Sequence, residues 1–429
     1  MTRQGSNSVQ VRHYNERVVL DTIRRLGEAS KAEIARQAHL TPQAIAGIVD
    51  GLVAAGYIEI KSRRSGYVGS PSQMYGLAAD GAYSIGIHIG RRSLECLLID
   101  FLGKTKTAYS HDYEFPNPHD VLTFVREDLE KLQGVLSREA RSRVVGIGIA
   151  MPYFLGGWND ELGFSKNIVD AWVSIDLQES LARISSLPVH LENDASAAAI
   201  AELVYGLGRT ETDFLYLSLN TFVGGGLVMD GKLQTGPNGN SAAMGPFPVG
   251  PSRLSSVAKP KGPFEILLRR ASVFVLMNHL RVNGVKINRA RDIDVLDGES
   301  KQLFCEWQED AVEALAHAIV GVVSVVDLNA IIVDGILPAD AHSSTLELLR
   351  AKFSEVAPEG IIQPRILAGT VGANAAAVGA AILPFYSMFA PDSDVLVKKQ
   401  KSNKRGLLIG IPGRLTSGAD FSPATRDSQ

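Results

Sequence analysis

Ser30-Lys31-Ala32-Glu33-Ile34-Ala35-Arg36-Gln37-Ala38-His39-Leu40-Thr41-Pro42-Gln43-Ala44-Ile45-Ala46-Gly47-Ile48-Val49-Asp50-Gly51-Leu52 encodes two short helices and a tight turn. Ser30 and Glu33 have capping-box spacing: the hydroxyl accepts the Glu33 N–H, and the Glu33 carboxylate reaches back to the Ser30 N–H. A helix over 31–38 follows, with Ile34, Ala35 and Ala38 on one face. His39 stands where the turn often carries Gly; it tolerates a left-handed backbone better than most side chains. Thr41 as N-cap and Pro42 in the first turn open a second helix. Ile45, Ile48, Val49 and Leu52 then recur at i, i+3, i+4 and i+7 and line one face. Gln43, Ala46, Gly47 and Asp50 lie opposite, with Ala44 at the margin. Gly56 closes this helix. Tyr57–Lys61 and Gln73–Leu77 read as strands, joined through Arg63, Arg64 and a Gly/Ser/Pro tip. Between Tyr14 and Leu26, Val18, Val19, Ile23 and Leu26 repeat at helical spacing and supply a third helix. Three helices and a basic hairpin make a winged helix-turn-helix, whose expected partner is double-stranded DNA.

The charge distribution fits. The whole chain carries a formal charge of −3, yet residues 1–80 hold ten Lys/Arg against seven Asp/Glu. Arg12, Arg17, Lys31, Arg36, Arg63 and Arg64 would neutralise phosphates, giving the salt-sensitive part of affinity. The exposed face of the second helix would read the major groove, with Gln43 able to pair bidentately with adenine and Ala44 and Ala46 able to touch thymine methyls. The expected DNA-contacting set is Lys31, Thr41, Gln43, Ala44, Gly47, Arg63 and Arg64. That face has few long polar side chains, so DNA shape and dimer spacing would share the selection.

At 429 residues, 45% of them hydrophobic, the chain is long enough for two to three domains with large cores. No run of about 18 uncharged apolar residues is present, and the N-terminus has no apolar signal region, so no membrane span or secretion is expected. Cys96 and Cys305 are isolated, are expected to be reduced and buried in a cytoplasmic protein, and belong to no metal-spacing motif.

After Leu77 the pattern changes to α/β. Tyr83–Gly90 and Ser93–Asp100 read as strands, and Phe101–Lys104 as a turn into a third. A helix from Pro118 to about Leu136 follows, then strands Val144–Ala150 and Val189–Leu191 and an Ala-rich helix from about Ala195. Strands Phe214–Leu219 and Gly226–Met229 flank a triple glycine, read as a turn. This alternation argues α/β architecture. His317, on the apolar helix 311–326, reads as a packed core residue.

Residues 83–390 resemble the ROK family, named for repressors, open reading frames and sugar kinases. The matching segments are Gly146-Ile147-Gly148-Ile149-Ala150-Met151-Pro152, Leu187–Ala199 with Glu192-Asn193-Asp194-Ala195 inside it, Val223–Leu227, Gly236-Pro237-Asn238-Gly239, Met244-Gly245 and Gly372-Ala373-Asn374 leading to Gly379-Ala380-Ala381. An N-terminal winged helix is what the family's repressor branch carries. The resemblance implies a winged helix-turn-helix followed by a two-lobed actin-like sugar-kinase fold. The boundaries implied are 1–78 for the DNA-binding domain, 79–195 for one lobe, completed by about 373–392, 196–372 for the other, and a basic, disordered tail over 393–429.

The resemblance also marks departures. The kinases' first phosphate loop, Asp-x-Gly-Gly-Thr, aligns with His88-Ile89-Gly90-Arg91-Arg92. Their second, Gly-Thr-Gly, aligns with Asn220-Thr221-Phe222, and the adenosine-side glycines with Asp334-Gly335-Ile336. Phosphoryl transfer needs those backbone cradles and a metal-organising carboxylate, so no catalytic residue is expected. The family's zinc-binding His aligns with Pro246, and Gly250–Pro263 holds no cysteine; no zinc or other cofactor is expected. The sugar side is partly kept. Asn193, Asp194 (the catalytic-base position), Glu265 and Asn167 match family sugar-site residues, and Trp172 matches a cleft tryptophan. The family's Glu-Ile-Gly-His is here Ala243-Met244-Gly245-Pro246. Asp194 also suits a helix N-cap. A sugar or sugar-derived effector and a homodimer or homotetramer complete the expectation.

Overall fold

A computed structural model describes residues 8–64, 72–153, 170–172, 174–287 and 289–391. Its N-terminal part contains α1 (Ser8–Leu26), β1 (Glu28–Ser30), α2 (Lys31–Ala38), α3 (Pro42–Ala54), β2 (Ile58–Arg64) and β3 (Ser72–Leu77). The capping box forms: Ser30 Oγ accepts the Glu33 N–H at 3.3 Å, and Glu33 Oε2 accepts the Ser30 N–H at 2.8 Å. His39 takes φ 51° at the end of α2, and Thr41 Oγ1 accepts the Ala44 N–H at 3.3 Å. Val19, Ile23, Ile34, Ile45 and Val49 form the buried centre. Two details differ from expectation. α1 begins at Ser8 rather than near Tyr14, because its first turns lie beyond the apolar stripe. The extra strand β1 completes a sheet of order β1-β3-β2; three residues are too few for a period of two to show.

The rest is one topology built twice. The first sheet, order β6-β5-β4-β7-β8, comprises β4 (Tyr83–Ile89), β5 (Ser93–Asp100), β6 (Thr105–Asp112), β7 (Val144–Met151) and β8 (Val189–Asn193). The second, order β11-β10-β9-β14-β15, comprises β9 (Phe214–Leu219), β10 (Val223–Met229), β11 (Lys232–Gln234), β14 (Ala330–Gly335) and β15 (Arg365–Ala368). In each, an antiparallel meander leads into two parallel strands. Helices joining the parallel strands cover the faces, as such crossovers require.

After α3 the described helices are α4 (Pro118–Gly134), α5 (Arg138–Arg141), α6 (Leu177–Ala182), α7 (Asp194–Tyr205), α8 (Leu268–Ala271), α9 (Val273–Val282), α10 (Gly298–Val323), α11 (Ala339–Val356) and α12 (Ala375–Phe389). Two of them, the small-residue helices α7 and α12, lie between the sheets. They approach so closely that a Cβ at Gly379 would stand 1.9 Å from the Ala197 carbonyl oxygen, and one at Gly148 in β7 1.7 Å from that of Ala380. The triple glycine Gly224–Gly226 belongs to β10 and is not a turn, correcting the expectation. A Cβ at Gly226 would meet Ala199 Cβ at 2.6 Å, so the bare strand is what admits α7. The turn is instead Asn220–Phe222. His317 is exposed on the long helix Gly298–Val323 rather than packed, and Cys305 is exposed rather than buried. Burial pushes the Cys96 thiol far up, so it stays protonated. The basic tail over 393–429, expected to be disordered, lies outside the described residues.

Candidate functional site

The β4–β5 turn and the β9–β10 turn are equivalent positions in the two repeats, and the fold brings them face to face. Gly90, Arg91 and Arg92 occupy the first; Asn220, Thr221 and Phe222 occupy the second. The Arg91 guanidinium lies 4.7 Å from the centre of the Phe222 ring, a cation–π contact worth about 2 kcal/mol once desolvated. Burial pulls the Arg91 guanidinium down to about 10, against the opposing pull of Asp194. Phe222 in turn packs edge-on to Phe274 at 5.7 Å. The second turn is pinned from below: the Val223 N–H donates to Ser272 Oγ at 3.0 Å, and the Asn220 and Thr221 carbonyls accept from Val273 and Phe274, each at 3.1 Å.

His88 precedes the first turn. Its Nδ1 lies 3.6 Å from Glu95 Oε2, ion-pair range but too long for a hydrogen bond. Burial pulls the imidazole down, but Glu95, and behind it Asp194, outweigh this and leave its pKa raised. Asp194, half-buried, thus sits within electrostatic reach of both side chains. It is not the cap of α7. Asn193 is: its Oδ1 accepts the N–H groups of Ala195 at 3.0 Å and Ser196 at 3.3 Å. That commits the Asn193 carbonyl oxygen and leaves Asp194 as the first helical residue, its Oδ1 accepting the Ala195 N–H at 2.8 Å.

Glu265 opens a two-stranded ladder, β12 (Pro248–Val249) with β13 (Glu265–Ile266). It is 3% exposed; Oε1 accepts the Ile266 N–H, and Oε2 is buried with no hydrogen-bond partner. None of the described hydrogen bonds or ion pairs joins it to Asp194. Asn167 lies outside the described residues. Trp172 is fully buried in the first sheet's core and donates to the Pro116 carbonyl at 2.6 Å. Asp334 is also taken up internally: Oδ2 accepts the Gly372 N–H at 2.9 Å and so fixes the loop before α12. Burial raises its pKa.

The segment 250–263, where the resemblance would place a zinc cluster, is tied down by hydrogen bonds and an ion pair. Ser252 Oγ donates to Asp310 Oδ2 at 2.9 Å, and the Arg253 N–H to Asp310 Oδ1 at 2.8 Å. Arg270, 1% exposed, pairs with the same carboxylate at 2.9 Å and donates to the Gly250 carbonyl at 3.0 Å. A second pin joins Ser256 Oγ to His279 Nδ1 at 2.7 Å. Asp310 is taken up by Ser252, Arg253 and Arg270, and His279 by Ser256 and Glu306, so neither side chain is free to ligate a metal in this arrangement. Neither Arg270 nor Asp310 belongs to a recognisable motif; sequence reading had no signal for them.

On the N-terminal part, Thr41, Gln43 and Gly47 are exposed and Ala44 is half-buried, so α3 presents the intended face. The cations are less free than their spacing suggests. Lys31 pairs with Asp50 at 2.6 Å, Arg64 with Glu33 at 3.1 Å and Arg12 with Glu16 at 3.0 Å. Arg17 donates to the Ala390 carbonyl at 3.2 Å. Arg36 and Arg63 are exposed and unpaired among the described residues.

A sequence model described as the ROK family matches residues 84–385. The xylose repressor of Bacillus spizizenii is 23% identical over 375 residues, covering 86% of this chain and 94% of the repressor. The glucokinase of Thermotoga maritima is 27% identical over 267 residues, covering 58% of this chain and 81% of the kinase. Among solved structures, a ROK family transcriptional regulator described as a homologue of the E. coli MLC protein superposes with a TM-score of 0.65 at 18% identity, over 91% of this chain and all of that one.

Proposed function

The chain belongs to the ROK family, and from that premise we propose that it is a DNA-binding transcriptional regulator, a repressor of carbohydrate-metabolism genes controlled by a sugar or sugar derivative. It acts in the cytoplasm as a symmetric dimer or tetramer whose α3 helices enter successive major grooves. Lys31, Thr41, Gln43, Ala44, Gly47, Arg63 and Arg64 contact the operator. Asn167, Asn193, Asp194 and Glu265 hold the effector. The non-catalytic reading rests on one observation, Arg91 stacked on Phe222. Two turns that would offer bare backbone N–H groups to nucleotide phosphates instead fill the space between them with each other's side chains. A carboxylate at Asp194 can still accept a hydroxyl hydrogen bond there without phosphoryl transfer. Effector binding closes the lobes and re-spaces the DNA-binding parts, through its different affinity for the two conformations.

A gel-shift titration with xylose, glucose and their derivatives tests the reading. Operator affinity should change with at least one sugar, and Asp194→Ala should abolish that response; an unchanged shift with every bound sugar would sink the effector role. The second reading, an active sugar kinase, is favoured by the glucokinase relatives and by Asp194 at the base position. An ADP-release assay across the same sugars separates the two, since steady turnover belongs only to the kinase.

A further inference from the structure

We propose that the cavity where α1 meets both sheets is a binding site for a single-ring aromatic carboxylate. The cavity measures about 260 Å³. Its position follows from the duplicated topology. The β5–β6 turn, with Phe101, and the β10–β11 turn, Asp230-Gly231 with Lys232 following at the start of β11, are again equivalent positions of the two repeats. α1 lies across them, and the end of α12 closes the remaining side. Leu20, Leu77, Phe101, Leu203 and Phe385 give apolar walls, all at most 5% exposed. A buried apolar void of about 150 Å³ accepts benzene, so this one has room for a ring and a polar substituent.

The sign of that substituent follows from the charge balance of the lining. Asp21 holds Arg24 at 2.5 Å and Arg25 at 2.9 Å. Arg24 also donates to the Val204 carbonyl, and Arg209 to the Arg25 carbonyl at 2.8 Å. Lys232 lines the cavity, is exposed and has no partner among the described residues. Asp230, likewise without an ion-pair partner among the described residues, offsets Lys232, while the single Asp21 carboxylate is shared by two guanidiniums; three cations thus face two carboxylates in the lining, a surplus of one positive charge. An anion therefore meets a net positive mouth, and its ring meets an aromatic floor.

Binding itself requires nothing of the DNA-binding reading; only its consequence does. The walls come from α1 and from both sheets, so an occupant braces the junction through which any movement between the sheets would reach the N-terminal part.

Calorimetry on the full chain with phenylacetate, against its neutral analogue phenylacetamide, tests the site. Phenylacetate should bind more tightly. Lys232→Ala should weaken phenylacetate up to about fivefold, the reach of an exposed charge pair, and leave phenylacetamide unchanged. Leu20→Trp, which fills the void, should abolish both, its melting curve serving as the check on folding. No binding of phenylacetate, equal binding of the two compounds, or an equal loss of both in Lys232→Ala would overturn the proposal. A gel shift with phenylacetate is the separate arm. Calorimetric binding by a chain that shifts no operator would leave this site standing and remove the regulator reading.

Discussion

Asp310 holds the loop that carries Ser252 and Arg253, and it does so with one carboxylate. It is buried at 3% exposure and accepts from Ser252, Arg253 and Arg270 at once. A buried charge pair is neutral at best against an apolar replacement, but removing one partner leaves the other stranded. Asp310→Ala should therefore cost about 3–5 kcal/mol in urea unfolding, whereas adding a chelator should leave the melting temperature unchanged. On α3 and β2 the roles divide by what each side chain has left to offer. Gln43→Ala should cost about 1–3 kcal/mol of operator affinity and relax selection at one base. Arg63, unpaired, should act evenly on all sequences: Arg63→Ala lowers the salt slope of log K by about 1. Fluorescence anisotropy at several salt concentrations reads both.

At the scale of the element, α2 is fixed by its first turn. The Glu33 carboxyl is held below its ordinary value of 4.5, first by the Ser30 N–H, then by the Ser30 hydroxyl and Arg64. A carboxylate with a lowered folded pKa adds stability that is full above the unfolded value and disappears as pH falls through the folded one. Glu33→Gln should therefore be less stable than the parent at neutral pH and converge with it as pH falls through the lowered folded value. Denaturation midpoints across pH follow this directly. The α7–α12 pair obeys a different rule, closeness. With the Ala380 carbonyl 1.7 Å from where its Cβ would stand, Gly148→Ala has no flexible neighbour to move. The usual 1–3 kcal/mol of overpacking is a floor here, and loss of soluble protein is the expected result.

The whole molecule has no loose head. Ala78 and its neighbours run straight from the hairpin into β4, the Ala78 N–H donating to the Tyr57 carbonyl at 3.0 Å. Tyr57, Phe101, Phe385 and Phe389 then form one aromatic cluster across the junction, with Phe101 and Phe389 at 4.8 Å. Buried residues of α1, α2 and α3 share a continuous core with β5, α7 and α12. A rotation between the sheets is thus felt by α1 without a linker to absorb it. Phe389→Ala should cost about 3 kcal/mol, the low end for a phenylalanine because its ring is half-buried. Hydrogen exchange should locate the loss in α1 and the end of α12 while β9 and β14 stay protected.

The front of the chain was legible because its determinants are local. A capping box, a proline after a threonine and apolar residues three and four apart act within a dozen residues, so α2 and α3 could be placed before any contact was known. The strand–helix alternation was equally readable, and it carried the α/β assignment. What the chain alone left undecided were matters of separation. Gly224–Gly226 look like a turn until α7 is seen to need the bare strand. Asp194 looks like a cap until Asn193 is found with its oxygen on the same N–H groups. Arg91 and Phe222 are 131 positions apart, and Arg270 and Asp310 are 40 apart; neither pairing leaves any periodic trace. Short-range hydrogen bonding and side-chain period fix where elements begin. Only tertiary packing, within a repeat or of one repeat against the other, determines which side chains meet.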